Sequence, residues 1–363
     1  MKKLLETLYV TTPDSYLFCR NENICVKIGG EEKASVPAVM LDGIVCFGEM
    51  TVSTPLIGFC AEHGITLTFL SSNGRFYSRI CGPVSGNVLL RKKQYQALDD
   101  DDFRMKFVQN LLVGKLLNEK NVLMRTARTQ DAATAESLRA ACQSISQYAA
   151  QLETCAGVDQ MRGIEGAAAK CYFAHFDDMI SPQCPFQFVE RSRRPPRNEV
   201  NAVLSFMYTL QTRDIQAALE TVGLDPAAGW LHTLRPGRPS LALDLLEEFR
   251  APLCDRLALS LFNKLDCQAA RFLDDLCDRL ALSLFNKRQL TDKDFEYDSL
   301  AVMLNERGRK TVLTAWRDRK QEEITHPYLG EKIQVGLIAY VQAMMLARVL
   351  RGDLDCYPPF VWR

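Results

Sequence analysis

The sequence predicts an α+β chain: a small β-rich N-terminal domain over residues 1–85, followed by a larger all-α domain over residues 103–363. Two observations carry this prediction. Short runs of β-branched and aromatic residues, separated by turn signals, fill the first 85 residues. After Pro83 the texture changes, and Phe103, Phe107, Val108, Leu111, Leu112 and Leu116 recur at helical spacing.

Taken in order, the strand candidates are residues 8–10, 16–19, 24–27 and 43–47, punctuated by Pro13-Asp14, residues 21–23 and Gly29-Gly30. Residues 54–63 read as a short helix that opens near Pro55 and is ended by Gly64. An apolar strand over 65–70 follows, and Ser72-Asn73-Gly74 turns the chain into 75–79. Residues 86–102 read as a connector that closes on the acid run 99–102. Residues 132–152, rich in Ala and Gln and free of proline, favour helix. The most apolar long segment, 333–347, spans only 15 residues and holds Gln334 and Gln342. That is short of the ~20 residues needed to cross a bilayer, so it reads as a buried helix.

Composition narrows the function classes. The chain has 363 residues, 47% apolar and 24% charged, enough for two domains of an ordinary globular protein. Lys plus Arg and Asp plus Glu both number 44, so no net charge draws the whole chain to nucleic acid or membrane. Any polyanion site is therefore a local patch. The 13 cysteines are odd in number and form no CxxC pair, which fits reduced thiols in the cytoplasm and argues against a zinc site. The first residues, with Glu6 interrupting a short apolar stretch, are not a signal peptide.

The chemistry concentrates in residues 231–250. His232 precedes a loop built on Pro236, Gly237 and Pro239, and Ser240 is a candidate N-cap for the helix that follows. Asp244, Glu247 and Glu248 stack along one face of that helix. An imidazole beside carboxylates suits a divalent metal. The same pattern also describes a surface helix whose acids lie near its N-terminus. Farther upstream, Glu165 sits among Gly163, Gly166 and three alanines, and is either a buried carboxylate needing a partner or a solvated one. Arg191, Arg193, Arg194 and Arg197 form a dense basic loop, and Arg238 lies in the loop after His232. These arginines can meet phosphates or simply face water. Arg307, Arg309, Lys310, Arg317, Arg319 and Lys320 form a second basic cluster, with Trp316 either beside it or packed inward. His63 and His326 read as loop residues, and His175 as a packed one.

Twelve residues, Leu-Cys-Asp-Arg-Leu-Ala-Leu-Ser-Leu-Phe-Asn-Lys, occur at 253–264 and again at 276–287. In one continuous helix the 23-residue offset would rotate the second apolar face by about 140°. One copy is therefore expected to pack and the other to form an extension or bulge.

Three separated stretches, Arg162 to Phe173, Arg193 to Ala202 and Leu231 to Arg250, agree in order and spacing with one family. The chain resembles the CRISPR-associated spacer-integration endonucleases (Cas1), in the form typical of type I systems. The phrases Ser53-Thr54-Pro55-Leu56, Ser72-Asn73-Gly74-Arg75-Phe76 and Leu90-Arg91-Lys92-Lys93-Gln94-Tyr95 fit as well. The resemblance implies a Mg²⁺ or Mn²⁺ site made by Glu165, His232 and Glu247, with Asp244 an alternative ligand or a support behind the ligands. The resemblance also implies aspartate in many relatives where this chain has Glu247. It implies double-stranded DNA as substrate, held by Arg193, Arg194, Arg197 and Arg238, and spacer DNA 3′-hydroxyl ends joined into a CRISPR array. It implies a homodimer made through the β-rich domain, and assembly with a small partner, Cas2, into a hetero-hexamer-like complex in the cytoplasm, with no membrane. Removing 253–275 would restore the family's uninterrupted run, so a catalytically weakened DNA-binding scaffold is the alternative reading.

Overall fold

The computed structural model describes residues 6–71, 76–80, 82, 88–263 and 290–362. The chain divides into two compact units. The first is Met1–Ser85 with Lys293–Glu296 and Met303–Thr314. The second is Gly86–Asp292 with Tyr297–Val302 and Ala315–Arg363.

In the first unit the expected strands form, and two more join them. The strands are β1 (Glu6–Val10), β2 (Ser15–Arg20), β3 (Asn23–Ile28), β4 (Glu31–Pro37), β5 (Leu41–Phe47), β6 (Met50–Val52), β7 (Thr66–Leu70) and β8 (Phe76–Ile80). One sheet runs β1-β5-β7-β8 and the other β4-β3-β2-β6. Asn21-Glu22 and Gly29-Gly30 have positive φ, the geometry that tight turns between twisted antiparallel strands require. Sequence pattern missed β4 because most of its side chains face water, so no apolar alternation marks it. Helix α1 (Thr54–Glu62) starts as expected: Ser53 Oγ accepts from Leu56 N and Pro55 stands in the first turn. Leu17, Ile24, Ile44, Cys46, Leu56, Cys60 and Leu67 fill the core of this unit.

The second unit is mostly helical. Residues 88–96 of the expected connector are helix α2 (Val88–Gln96), with Leu90 and Gln94 buried. Then come α3 (Asp101–Ala127), α4 (Ala132–Gln151), α5 (Val158–Ala174) and α6 (Glu199–Val222). The acid run caps α3: Asp100 Oδ1 accepts from Phe103 N at 3.0 Å. Next follow α7 (Ser240–Phe249), a π-helical turn (Arg250–Asp255) and α8 (Arg256–Phe262). After residue 290 come α9 (Glu306–Gln321), whose residues up to Thr314 belong to the first unit, and α10 (Ile338–Arg351). The expectation of an all-helical region is corrected by β9 (Phe295–Asp298) with β10 (Ala301–Leu304), and by β11 (Glu323–Thr325) with β12 (Lys332–Gln334). These strands are only three or four residues long, too short to show a period of two. Ile333 lies in β12, so the apolar helix begins later than expected. No described helix is long and apolar enough to cross a membrane.

The π turn has a chemical cause. Pro252 has no N–H to give the carbonyl of Glu248, four residues back. Asn118 Nδ2 donates to that carbonyl instead, at 2.8 Å. The helix thus widens around the proline rather than breaking.

The first repeat copy is seated in the core. Leu253, Cys254, Leu257, Ala258, Leu261 and Phe262 are buried. Asn263 Nδ2 donates to Met179 O at 2.9 Å, and its Oδ1 accepts from Ser181 N at 2.7 Å. The second copy lies outside the described residues. Leu290 N donates to Leu261 O at 3.2 Å, so the chain is back beside the end of α8 at that point. Deleting 264–286, which leaves the same polypeptide as deleting 253–275, shortens the connection between Asn263 and Leu290 from 26 residues to three. A shorter connection costs less to close. The deletion variant is expected to unfold at a higher temperature than the full chain, and a lower midpoint in thermal unfolding would contradict this.

Candidate active site

Glu165, His232 and Glu247 come from α5, the 223–239 loop and α7, and the fold brings them to one place. Their side chains are 25%, 20% and 4% exposed. The site therefore opens to solvent on the Glu165 and His232 side and has Glu247 as its floor. The small residues around Glu165 do not mark a close helix approach, since a Cβ at Gly163 or Gly166 would meet nothing within 4 Å.

The loop carrying His232 is pinned from several sides. Gln94 Nε2 donates to Asp225 O and Ala228 O at 2.9 and 3.0 Å. Trp230 packs on Phe103 and Phe107 and donates its indole N–H to Ala97 O at 2.8 Å. Arg104 Nε reaches Trp230 O at 3.1 Å. Arg162, one turn before Glu165, donates Nε to Leu231 O at 2.8 Å, tying α5 to the loop.

Asp244 completes the anchoring. It is fully buried, and its Oδ2 accepts from Trp230 N at 2.6 Å and Leu231 N at 3.0 Å. Its Oδ1 accepts from His232 N and His232 Nδ1, both at 2.8 Å. Four donors occupy this carboxylate, so Asp244 holds His232 from behind. In the neutral ring, Nδ1–H given to Asp244 leaves the lone pair on Nε2, which lies 3.8 Å from Glu247 Oε1. A Cβ at Gly229 would come within 2.6 Å of Asp244 Oδ2 and of the α7 backbone, so only glycine fits there. Ser240 is the first helical residue rather than the N-cap. Its hydroxyl donates to Thr233 O, and the first amides of α7 turn to Pro226 O.

Sequence reasoning missed the groups beneath. Lys115, on α3, contacts Glu165 Oε1, lies 2.8 Å from Glu247 Oε2 and 3.9 Å from Glu119 Oε1. Arg250 Nη2 lies 2.9 Å from Glu247 Oε1. Burial opposes ionisation of Glu247, but Arg250 and Lys115 outweigh it and hold its carboxyl below the usual range. Burial pushes Glu119 up to about 8, against the pull of Lys115. The signal for this layer was polar Lys115, Asn118 and Glu119 at helical spacing within the apolar seam of α3.

Among the described residues no three His, Cys, Asp or Glu side chains gather as a ready ion-holding group. Two carboxylates and a free imidazole nitrogen nevertheless face one place, and a positive group already sits on the carboxylates. This donor set suits a divalent ion that accepts oxygen and nitrogen. The other histidines serve structure. His63 and His175 turn Nδ1 to the carbonyl four residues back, and His326 is buried.

The two basic clusters differ. Arg193, Arg194 and Arg197 are exposed, Arg238 is half-buried, and none has an acidic partner among the described residues. Arg191 turns inward, to Asn201 Oδ1 at 2.7 Å and over the Tyr208 ring. The second cluster is largely spent on the protein itself. Arg307 pairs with Asp294, Arg319 with Glu322, and Lys320 with Asp214, while Arg309 is buried and Trp316 packs inward.

A family model described as CRISPR associated protein Cas1 matches residues 8–276 and 275–318. A CRISPR-associated endonuclease Cas1 of Chlorobaculum tepidum is 46% identical over 366 residues, covering 100% of both chains. The chain belongs to the Cas1 family. It is a CRISPR-associated nuclease of that family, as its full-length Cas1 relatives are. The Cas1 model breaks its match where the second repeat copy begins, at residue 276. Among solved structures, a casposase bound to integration product shares the Cas1 fold, with TM-score 0.78 at 17% identity, over 99% of this chain and 95% of that one. A Cas6-RT-Cas1–Cas2 complex contains a chain that matches with TM-score 0.76 at 19% identity, over 100% of this chain and 36% of that one.

Proposed function

We propose that this Cas1-family enzyme joins the 3′-hydroxyl ends of spacer DNA into a CRISPR array, with Glu165, His232 and Glu247 holding a divalent ion, Mg²⁺ or Mn²⁺. The observation that carries the site is His232, held by Asp244 so that Nε2 faces Glu247 while Glu165 stands at the solvent side. A divalent ion bound there would supply Lewis-acid polarisation of the scissile phosphate and activation of the attacking hydroxyl. The protein's own part is positional. Asp244 fixes the imidazole tautomer, Arg250 keeps Glu247 ionised, and Arg162 holds the His232 loop against α5. Arg193, Arg194, Arg197 and Arg238 bind the DNA backbone, in a salt-dependent way that carries no sequence information.

Assembly follows the same reading: a homodimer through residues 1–85 and a complex with the small Cas2 protein in the cytoplasm. The named Cas1–Cas2 complex with this fold supports the second partner. The alternative, a scaffold disabled by the repeat, is disfavoured by the first copy, which continues α7 through the π turn while Glu247 Oε1 stands 3.8 Å from His232 Nε2.

The test is strand transfer with the full chain, Cas2, Mn²⁺, a short duplex with free 3′-hydroxyls and a plasmid carrying the repeat array. Joined product from the wild type, and at least about 100-fold less from Glu165→Gln, is expected. DNA binding without joining by either protein would instead establish the scaffold. Cleavage without joining would leave a general nuclease.

A further inference from the structure

Lys115 has no part in the chemistry above, yet it occupies the centre of the site. Its side chain is 4% exposed, and its ammonium bridges Glu165 and Glu247. Arg250 covers Glu247 Oε1, so Oε2 is the oxygen left to Lys115. Glu119, one helical turn along α3, faces the same ammonium from 3.9 Å. Its other oxygen, Oε2, is buried and has no hydrogen-bond partner among the described residues. Buried polar atoms are seldom left so, and an unfilled acceptor beside a shared ammonium is a second seat for it.

We infer that Lys115 is a built-in stand-in for the metal: its ammonium neutralises Glu165 and Glu247 in the metal-free protein and withdraws to Glu119 when a divalent ion binds. This rests on the reading of Glu165, His232 and Glu247 as ligands. Without the ammonium, Glu165 and Glu119 lose the cation beside them and Glu247 keeps Arg250, so the acids face one another less well compensated in the metal-free state. With it, every entering ion competes with a tethered charge for the same oxygens. The site then stays folded without metal, and its metal affinity is lowered by that competition.

The base and its second acid predict shifts of opposite sign. In Mn²⁺ titrations of the full chain by calorimetry, Lys115→Met is expected to bind at least about tenfold tighter than wild type. Glu119→Gln is expected to bind several-fold weaker, because the displaced ammonium loses its second seat. Thermal unfolding of Lys115→Met without metal occurs at a lower temperature, and Mn²⁺ raises it by more than it raises the wild type. Should Lys115→Met fail to fold, Lys115→Met with Glu119→Gln removes base and acid together and is expected to bind tighter than Glu119→Gln alone. Equal or weaker binding by the lysine variants, with wild-type binding still abolished by Glu165→Gln, overturns the stand-in role and leaves the metal site intact. Absence of Mn²⁺ binding by the wild type, or binding indifferent to Glu165→Gln, overturns the site reading and this inference with it.

Discussion

Asp244→Asn is expected to lower stability by about 3–5 kcal/mol and Mn²⁺ affinity by about 10–100-fold. Four N–H groups converge on the carboxylate: the amides of Trp230, Leu231 and His232, and the His232 ring. An asparagine offers acceptors on one oxygen only, and its NH₂ faces donors. At least two buried N–H groups then lose their acceptor, at about 1–3 kcal/mol each. If the ring is among them, Nδ1 is free to give up its proton and Nε2 to take it, which removes the lone pair a metal needs. Thermal unfolding and Mn²⁺ titration together check this. A variant within about 1 kcal/mol of wild type would show that the cage around Asp244 is not what orders the loop.

Asn118→Leu is expected to destabilise the protein by a similar amount, without altering any candidate ligand. The Asn118 amide donates to Glu248 O and Phe360 O at 2.8 and 2.7 Å, and accepts from Trp362 N at 2.8 Å. Leucine has nearly the same size and none of these groups. Two carbonyls and an amide would be left, most of them away from water, and chemical denaturation should register a loss of about 3–5 kcal/mol. The C-terminal residues also answer to Glu248, which accepts from Tyr357 Oη at 2.5 Å and Phe360 N at 2.7 Å. A Cβ at Gly114 would come 2.6 Å from Pro359 Cβ, so this segment lies hard against α3. Proteolysis of residues beyond Tyr357 should therefore be faster in Asn118→Leu. An unchanged unfolding midpoint and cleavage rate would refute the assignment.

Much of this was legible in the sequence, for definite reasons. β2, β3, β5 and β7 announce themselves by apolar residues between turn signals. Glu165, His232 and the α7 acids stand in stretches that a family resemblance singles out. Partnerships made across the fold were not legible. Lys115 and Asn118 find their partners some 50 to 240 residues away. Gly229 matters through a close approach to α7 that no local pattern encodes. Exposed and spent arginines look alike in a sequence, and only Asp294, Asp214 and Glu322 tell the second basic cluster from the first.

The π turn at Pro252 acts on phase. An α-helix advances about 100° per residue, and a π turn takes one residue more to close, so everything after it is offset from everything before it. One continuous rod therefore presents Asp244 and Glu247 in one angular frame, and Asp255, Leu257 and Leu261 in another. In the second frame Asp255 meets the hydroxyls of Tyr208 and Tyr172, at 2.7 and 3.1 Å. Removing a single residue such as Ala251 would bring the two frames back into step. The face that carries the candidate site and the core face of the rod could then not both be met, so the length of this turn is as tightly constrained as the identity of any candidate ligand.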